Sequence, residues 1–143
     1  MQMADKPVLT VNIVTPDGII YDHKATMLIV KALDGQLGIM ANHLPLVAPL
    51  QIDEVRVKRA DNPEKEDAIA VNGGFMEVSD NVASVVADSA ERERDIDVSR
   101  AELAEQKAEK RIKAAKAKHD ADELARAQIK LRRALNRIKV AKH

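Results

Sequence analysis

The chain has 143 residues with 23 basic and 23 acidic side chains, so its formal net charge is zero. It lacks cysteine, which excludes disulfides and thiolate zinc sites, and with only Tyr21 and Phe75 aromatic it has no stacking platform for single-stranded nucleic acid. No apolar run approaches the ~20 residues of a membrane-spanning helix, and the polar start, Met1 to Lys6, lacks the apolar core of a signal peptide.

The first part of the chain has the pattern of short strands separated by turns. Apolar side chains alternate from Leu9 to Ile13, which predicts a half-buried strand, and Pro16-Asp17-Gly18 predicts the turn after it. Further strands are predicted in five apolar runs: Thr26–Ala32, Ile52–Val57, Ile69–Val71, Phe75–Val78 and Val82–Ala87. Since no long amphipathic helix lies between them, the pattern favours a β-sandwich or barrel.

The composition changes abruptly after this part. All five glycines and all five prolines lie at or before Gly74, and the last 54 residues contain neither. Residues 1–89 carry seven basic and thirteen acidic side chains, whereas residues 90–143 carry sixteen and ten. We therefore predict an α+β protein with a β-domain over 1–89 and a helical domain over 90–143. The basic tail either meets an acidic partner or is a solvated, salt-bridged surface.

Two helices are predicted in the tail. Asp95, Asp97 or Ser99 with Glu102 can cap the first, and Asp120 can cap the second. Each helix has a narrow stripe rich in alanine: Ala101, Ala104, Ala108, Ile112 and Ala115, then Leu124, Ala127, Leu131, Ala134, Leu135, Ile138 and Ala141. The stripes predict an antiparallel helical hairpin. Because alanine buries little surface while helix propensity is high, we expect a hairpin that opens without melting.

The second helix is unusually basic. From Leu124 to His143 there are seven Lys or Arg residues and no acidic one. The helix dipole accounts for cations at the C-terminus but not for a whole helix without a carboxylate. One alternative interpretation is therefore a nucleic-acid-binding module that uses this helix on phosphates.

Patterns that would indicate catalysis are missing. Gly73-Gly74 is followed by Phe75-Met76-Glu77, so there is no phosphate-binding GxxxxGK[ST] loop. The four histidines have no metal-ligand spacing, and no serine lies in a GxSxG context. We therefore predict no catalytic residue, no metal site and no catalytic cofactor.

Three motifs in the β-domain, in order, carry a resemblance to a known family. These are Asp34–Ile39 (DGQLGI), Asn42–Leu46 (NHLPL) and Asn72–Val78 (NGGFMEV). With the final helix, they resemble the epsilon subunit of the bacterial F-type ATP synthase over nearly the whole chain.

The resemblance implies a flattened antiparallel β-sandwich followed by a two-helix hairpin. It implies a non-catalytic central-stalk subunit that docks on the gamma subunit and the c-ring and couples rotation to proton flow. The helices would extend towards the alpha and beta subunits and inhibit ATP hydrolysis. The subunit would lie at the cytoplasmic face of the bacterial cell membrane, held there only through the complex.

A further motif concerns a ligand. Ile96-Asp97-Val98-Ser99-Arg100-Ala101 resembles the I-D-x-x-R-A motif of epsilon subunits that bind ATP as a regulatory ligand. The resemblance implies that Glu91, Arg133 and Arg137 complete this site. Arg133 and Arg137 are four residues apart and share a helix face, where guanidinium groups suit a polyphosphate. The residues alone leave another interpretation open, in which Asp97 is only a helix cap and the arginines are solvated.

Overall fold

The computed structural model describes residues 7–143. These residues form seven strands, a short 3-10 turn and two α-helices. The elements are β1 (Leu9–Thr15), β2 (Gly18–Ala32), β3 (Gly35–Ile39), β4 (Leu46–Arg59), β5 (Glu66–Ser79), β6 (Val82–Ala87), β7 (Ala90–Arg92), the 3-10 turn (Glu93–Asp95), α1 (Val98–Ala117) and α2 (Ala121–Ala141).

The strands form a two-layered sandwich whose sheet closes on itself. Neighbours follow the order β1-β6-β5-β4-β2-β3, β1 also pairs with β2, and β7 pairs with β5. The predicted fold class, a β-sandwich followed by two helices, is confirmed. Most pairings are antiparallel as predicted, but β1 and β6 pair in parallel, which residue periodicity cannot reveal because it is the same for both directions.

The core of the sandwich consists of large apolar side chains. In β1 every second residue is buried, so the predicted alternation from Leu9 to Ile13 is confirmed. Tyr21 is buried beside them, and its hydroxyl donates a 2.6 Å hydrogen bond to Asp67. Burial and this carboxylate raise the pKa of the Tyr21 hydroxyl far above its ordinary value. Tyr21 therefore stays protonated and remains the donor of this bond.

A pair of glycines marks the point where β5 changes partner. Before this point Ile69 to Val71 pair with β7, and from Gly74 onwards β5 pairs with β6. Gly74 has a φ of +129°, and a Cβ there would collide with the carbonyl oxygen of Val86. The NGG motif therefore meets a backbone requirement of the sandwich, because only glycine fits both the φ angle and the close approach.

The chain divides into two compact units, one ending at Arg92 and one covering Glu93–His143. The sequence placed the boundary after residue 89, where the composition changes. In the structure Ala90–Arg92 still pair with β5 as strand β7, so these three residues belong to the sheet. Alanine, glutamate and arginine are also typical of the tail, so composition alone does not separate these three residues from the helices.

The second unit is an antiparallel helical hairpin with an alanine seam. Ala101, Ala108 and Ala115 of α1 are buried, and so are Ala127 and Ala134 of α2. The larger members of the predicted stripe are less buried: Leu124, Leu131 and Ile138 are half-buried and Leu135 is exposed. Asn136 and Val140, which the stripe did not include, are buried in α2. The helices can approach closely because the residues between them are small.

Candidate functional site

The I-D-x-x-R-A segment builds the start of α1. Asp97 is the N-cap, and its Oδ1 accepts a 3.1 Å hydrogen bond from the backbone N–H of Arg100. Ile96 is buried ahead of the helix, and Ala101 is buried in the seam. Asp97 and Arg100 are the exposed members of the motif. The sequence left Asp95, Asp97 and Ser99 open as caps of the first helix, and in the structure the cap is Asp97. The second oxygen of its carboxylate can still accept a hydrogen bond from a ligand.

Arg133 and Arg137 come together in a groove between the two helices. The groove has a volume of about 280 Å³. It is lined by three alanines and five cations: Ala104, Ala108, Ala134, Lys107, Arg111, Lys130, Arg133 and Arg137. Lys107, Arg111, Lys130 and Arg133 are exposed and Arg137 is half-buried. We call this feature the basic groove.

The other residues that the motif implied lie elsewhere. Arg100 shares the face of α1 that bears Ala104, Lys107 and Arg111, since these positions are separated by four, three and four residues, but it does not line the groove. Ile96 and Asp97 precede α1. Glu91 lies in β7 of the first unit. The groove therefore collects the two arginines of α2 but not the acidic members of the predicted site.

Two cations of the groove, Arg111 and Lys130, were not singled out from the sequence. Lys107 and Arg111 are four residues apart on α1, and Lys130 precedes Arg133 by three residues on α2. This spacing predicts a basic face on each helix. It does not predict that the two faces meet, because that depends on how α1 and α2 are aligned. The sequence alone does not reveal how the two helices are aligned along their length, and this alignment brings the two basic faces together.

Four of the five cations of the groove have no ion pair among the described residues. Over residues 7–143 no ion pair is found for Lys107, Arg111, Lys130 or Arg133, whereas Arg126 elsewhere on α2 lies 4.0 Å from Glu123. Several positive charges that share one concave surface create a local positive potential. The groove is thus suited to an anionic ligand.

The described part of the chain shows neither a metal-binding cluster nor a membrane-spanning helix. Residues 7–143 contain no group of three or more histidine or acidic side chains placed to hold a metal ion. Neither of the two helices described is both long and apolar enough to cross a membrane.

Two family models match consecutive parts of the chain. The ATP synthase delta/epsilon chain β-sandwich domain matches residues 8–93, and the long α-helix domain of the same chains matches residues 94–142. The boundary between the two matches lies one residue from the division between the structural units.

Curated relatives cover the chain from end to end. The ATP synthase epsilon chain of Latilactobacillus sakei is 65% identical over 143 residues, which is 100% of this chain and 99% of the relative. That of Lacticaseibacillus casei is 65% identical over 93% of both chains, and that of Levilactobacillus brevis is 60% identical over 99% of this chain and 100% of the relative.

Solved structures confirm the fold. A chain of the Euglena gracilis mitochondrial ATP synthase (OSCP/F1/c-ring) superposes with a TM-score of 0.76 at 19% identity, covering 100% of this chain and 85% of that one. A chain of the Tetrahymena thermophila mitochondrial ATP synthase central stalk and c-ring gives 0.52 at 14% identity, covering 65% and 72%. With the family models and the close relatives, these findings show that the chain belongs to the delta/epsilon family of ATP synthase subunits, as an epsilon subunit.

Proposed function

We propose that the chain is the central-stalk subunit that couples rotation to proton flow and regulates ATP hydrolysis. In this proposal the sandwich docks on the gamma subunit and the c-ring, and the hairpin reaches the alpha and beta subunits. The complex holds the subunit at the cytoplasmic face of the cell membrane. Membership of the epsilon family over the whole chain supports these roles.

An apolar face of the sandwich supports docking of the gamma subunit. Val47, Phe75 and Val86 are 67%, 41% and 39% exposed. Phe75 pairs directly with Val86 and with Pro49, which is two residues from Val47, so the three side chains share one face across β4, β5 and β6. Adjacent exposed apolar side chains on a sheet mark a surface that a protein partner covers.

Regulation requires a hairpin that can open, and the alanine seam supports this. Five of the seven buried residues of the two helices are alanines, the others being Asn136 and Val140 near the end of α2, so separation of the helices along most of the seam exposes little apolar surface. Each helix also has its own N-cap, Asp97 in α1 and Asp120 in α2. The helices therefore keep their local stabilising bonds when they separate.

ATP is the regulatory ligand in this proposal, and the basic groove is the observation that carries it. Arg133 and Arg137 belong to α2, whereas Lys107 and Arg111 belong to α1. A triphosphate that contacts both sets requires the closed hairpin. Ligand present at 100 times its dissociation constant would stabilise the closed hairpin by about 2.7 kcal/mol. This is a large contribution where the packing between the helices is made mainly by alanines, which bury little apolar surface.

The remaining residues implied by the family motif would recognise the nucleoside. Asp97 has a second carboxylate oxygen that can accept from the adenine or the ribose, and Glu91 is the alternative acceptor. Arg100 would add a guanidinium from the same face of α1 that bears the groove cations. Ile96 and Ala101 would support the site by fixing the start of α1.

The ATP site can be tested on the full chain with a distance reporter. Because the chain has no cysteine, labels at Gln106→Cys and Gln128→Cys, exposed on α1 and α2, report hairpin closure without background. We expect ATP to shorten the distance between the labels, and Arg133→Ala or Arg137→Ala to abolish this change. Arg132→Ala is the matched control, since Arg132 is the exposed neighbour outside the groove.

The comparison with Arg132→Ala and a test of nucleic-acid binding decide whether the groove is an ATP site. If Arg133→Ala and Arg137→Ala bound ATP as tightly as Arg132→Ala does, the assignment of the site would be wrong. Binding of duplex or single-stranded nucleic acid with a steep salt dependence would instead favour a nucleic-acid module.

A further inference from the structure

We propose that Tyr21 and Arg92 form a clasp that holds strand β7 on the sandwich and thereby fixes the length of chain that joins the sandwich to the hairpin. Arg92 is the last residue of β7 and of the first unit, and the second unit begins at the next residue. The clasp itself does not depend on ATP binding. Its consequence for the reach of the hairpin rests on the proposed function, in which the hairpin moves.

Strand β7 has little in its own sequence to hold it in the sheet. It consists of three residues, Ala90–Arg92, and in the described sheet it pairs with β5. Alanine and glutamate are depleted in strands, and the three residues are only half-buried. Because so short a strand forms few backbone hydrogen bonds, its side chains must contribute to keeping it docked.

Two side chains of β7 face the core. Successive residues of a strand point to opposite faces, so Ala90 and Arg92 share one face. Ala90 packs against the buried core of the sandwich, but its single methyl group buries little apolar surface. The guanidinium carbon of Arg92 lies 5.3 Å from the centre of the Tyr21 ring. This distance is within the range of a cation–π interaction, which makes the ring the second anchor of β7.

The ring is the side-chain partner of the Arg92 guanidinium. Within residues 7–143 Arg92 has no ion pair. Tyr21 is only 1% exposed, and Arg92 over its ring is half-buried. A long arginine stem can cover apolar surface while its charge reaches water. Detachment of β7 would therefore lose the cation–π contact and also uncover this face of the ring.

The position of the ring is fixed from its other end. The Tyr21 hydroxyl donates a 2.6 Å hydrogen bond to Oδ2 of Asp67. The same oxygen lies 3.9 Å from Nε of Arg59, which in turn donates hydrogen bonds of 2.9 and 2.6 Å to Asp61 from two nitrogens. Arg59 belongs to β4 and Asp67 to β5. The ring is thus held by two central strands before Arg92 contacts it, so the clasp is preorganised.

Release of the clasp would lengthen the connection to the hairpin. While β7 is docked, residues 93–97 join the sheet to α1. When β7 detaches, residues 90–97 do so. Three more extended residues add at most about 10 Å of reach. The strength of the contact between Tyr21 and Arg92 therefore controls how far the hairpin can travel from the sandwich.

Amide hydrogen exchange of the full chain, resolved by residue with NMR, tests the clasp without nucleotide. Arg92→Gln removes the charge but keeps a long side chain, and it should speed exchange at residues 90–92 roughly fivefold through the loss of one cation–π contact. Arg92→Lys keeps a cation that can lie over the ring and should stay within about twofold of the unaltered chain. Exchange where Phe75 pairs with Val86 should not change, because β7 pairs with the other part of β5.

Two comparisons separate the clasp from a general effect of charge. Arg94→Gln makes the same chemical change in the exposed 3-10 turn that follows, and it should not alter exchange in β7. In a Tyr21→Leu background Arg92→Gln should have no further effect, because the ring is already absent. Equal exchange in Arg92→Gln and Arg94→Gln would overturn the inference, and so would an Arg92→Gln effect that persists without the ring. If Tyr21→Leu does not fold, the comparison of the two arginines still decides.

Spin labels measure the consequence for reach. Glu64→Cys in the sandwich and Gln106→Cys in α1 are exposed positions, and the distribution of distances between them should widen in Arg92→Gln but not in Arg94→Gln. Faster exchange without a wider distribution would disprove the link between the clasp and the reach of the hairpin. If ATP does not bind, the proposed ligand is wrong and the clasp stands. If ATP binds while the two arginine variants exchange alike, the clasp is wrong and the ATP proposal stands.

Discussion

The sandwich and the hairpin bury very different side chains. The sandwich encloses large residues such as Tyr21, Leu28 and Ile69, each at most 1% exposed. The seam of the hairpin encloses Ala108 and Ala134 at about the same level of burial. Since each buried methylene contributes about 0.8 kcal/mol, equal burial gives the sandwich far more stability. The fraction of a side chain that is buried therefore does not by itself show which unit is held together more strongly, because the amount of apolar surface buried also matters.

The two units also differ in where their backbone hydrogen bonds come from. In the sandwich, strands distant in sequence pair with each other, as Thr10 to Val14 do with Val82 to Val86. In the hairpin, each helix makes its bonds internally and adds its own cap. Opening the sandwich separates the packed core and breaks backbone hydrogen bonds between strands, whereas opening the hairpin separates side-chain contacts and leaves the backbone hydrogen bonds within each helix. Amide hydrogen exchange should therefore protect the strands more strongly than the helices.

The largest effect is expected from a truncation in the sandwich. Ile69 is fully buried in β5, and Ile69→Ala should lower the free energy of unfolding by about 2–5 kcal/mol, since it removes apolar contacts and leaves a cavity. Urea denaturation followed by the fluorescence of Tyr21, the single tyrosine, monitors the sandwich alone. The matched truncation in the hairpin is Leu135→Ala.

Leu135 is 45% exposed, so its truncation should change stability by less than about 0.5 kcal/mol. Helical circular dichroism follows this variant, because the helices of the structure lie in the second unit. If both truncations had equal effects on their own units, the contrast between a fixed sandwich and a loosely held hairpin would be disproved.

An intermediate effect is expected from a larger residue in the seam. Ala127 is 1% exposed, and Ala127→Leu should force the helices apart at a cost of about 1–3 kcal/mol. Leucine is nearly as good a helix former as alanine, so helix content should stay constant while the labels at Gln106→Cys and Gln128→Cys move apart. Ala125→Leu is the control, because Ala125 is exposed on the same helix. Loss of helicity in Ala127→Leu would mean that seam and helices are not independent.

Local patterns predicted most of the fold. The alternation of β1, the turn at Pro16–Gly18 and the caps at Asp97 and Asp120 are all set by neighbours in sequence, and the structure confirms each of them. The parallel pairing of β1 with β6 and the extension of the sheet by β7 were missed. Both depend on contacts between distant segments, which a periodic pattern does not specify.

The candidate site was predictable to a smaller extent. The resemblance pointed to Arg133 and Arg137, and the structure brings them together in one groove. Arg111 and Lys130 were missed because the meeting of the two basic helix faces depends on the alignment of two separate helices. The roles of Glu91, Asp97 and Arg100 in ligand binding remain predictions, and the experiments with ATP decide them.

A smaller effect than that of the seam variant is expected at the helix caps. Oδ1 of Asp120 accepts a 3.1 Å hydrogen bond from the backbone N–H of Glu123, and Asp120→Ala should cost about 1 kcal/mol by leaving that donor without its cap. Asp120→Asn keeps an acceptor and should recover most of the loss. Asp122→Ala, also in the first turn of α2 but not a cap, should cost only about 0.3–1 kcal/mol through the helix dipole. Thermal melting followed by helical circular dichroism should show these differences while Tyr21 fluorescence stays unchanged. A shift in the Tyr21 transition of equal size would mean that the hairpin and the sandwich unfold as one unit.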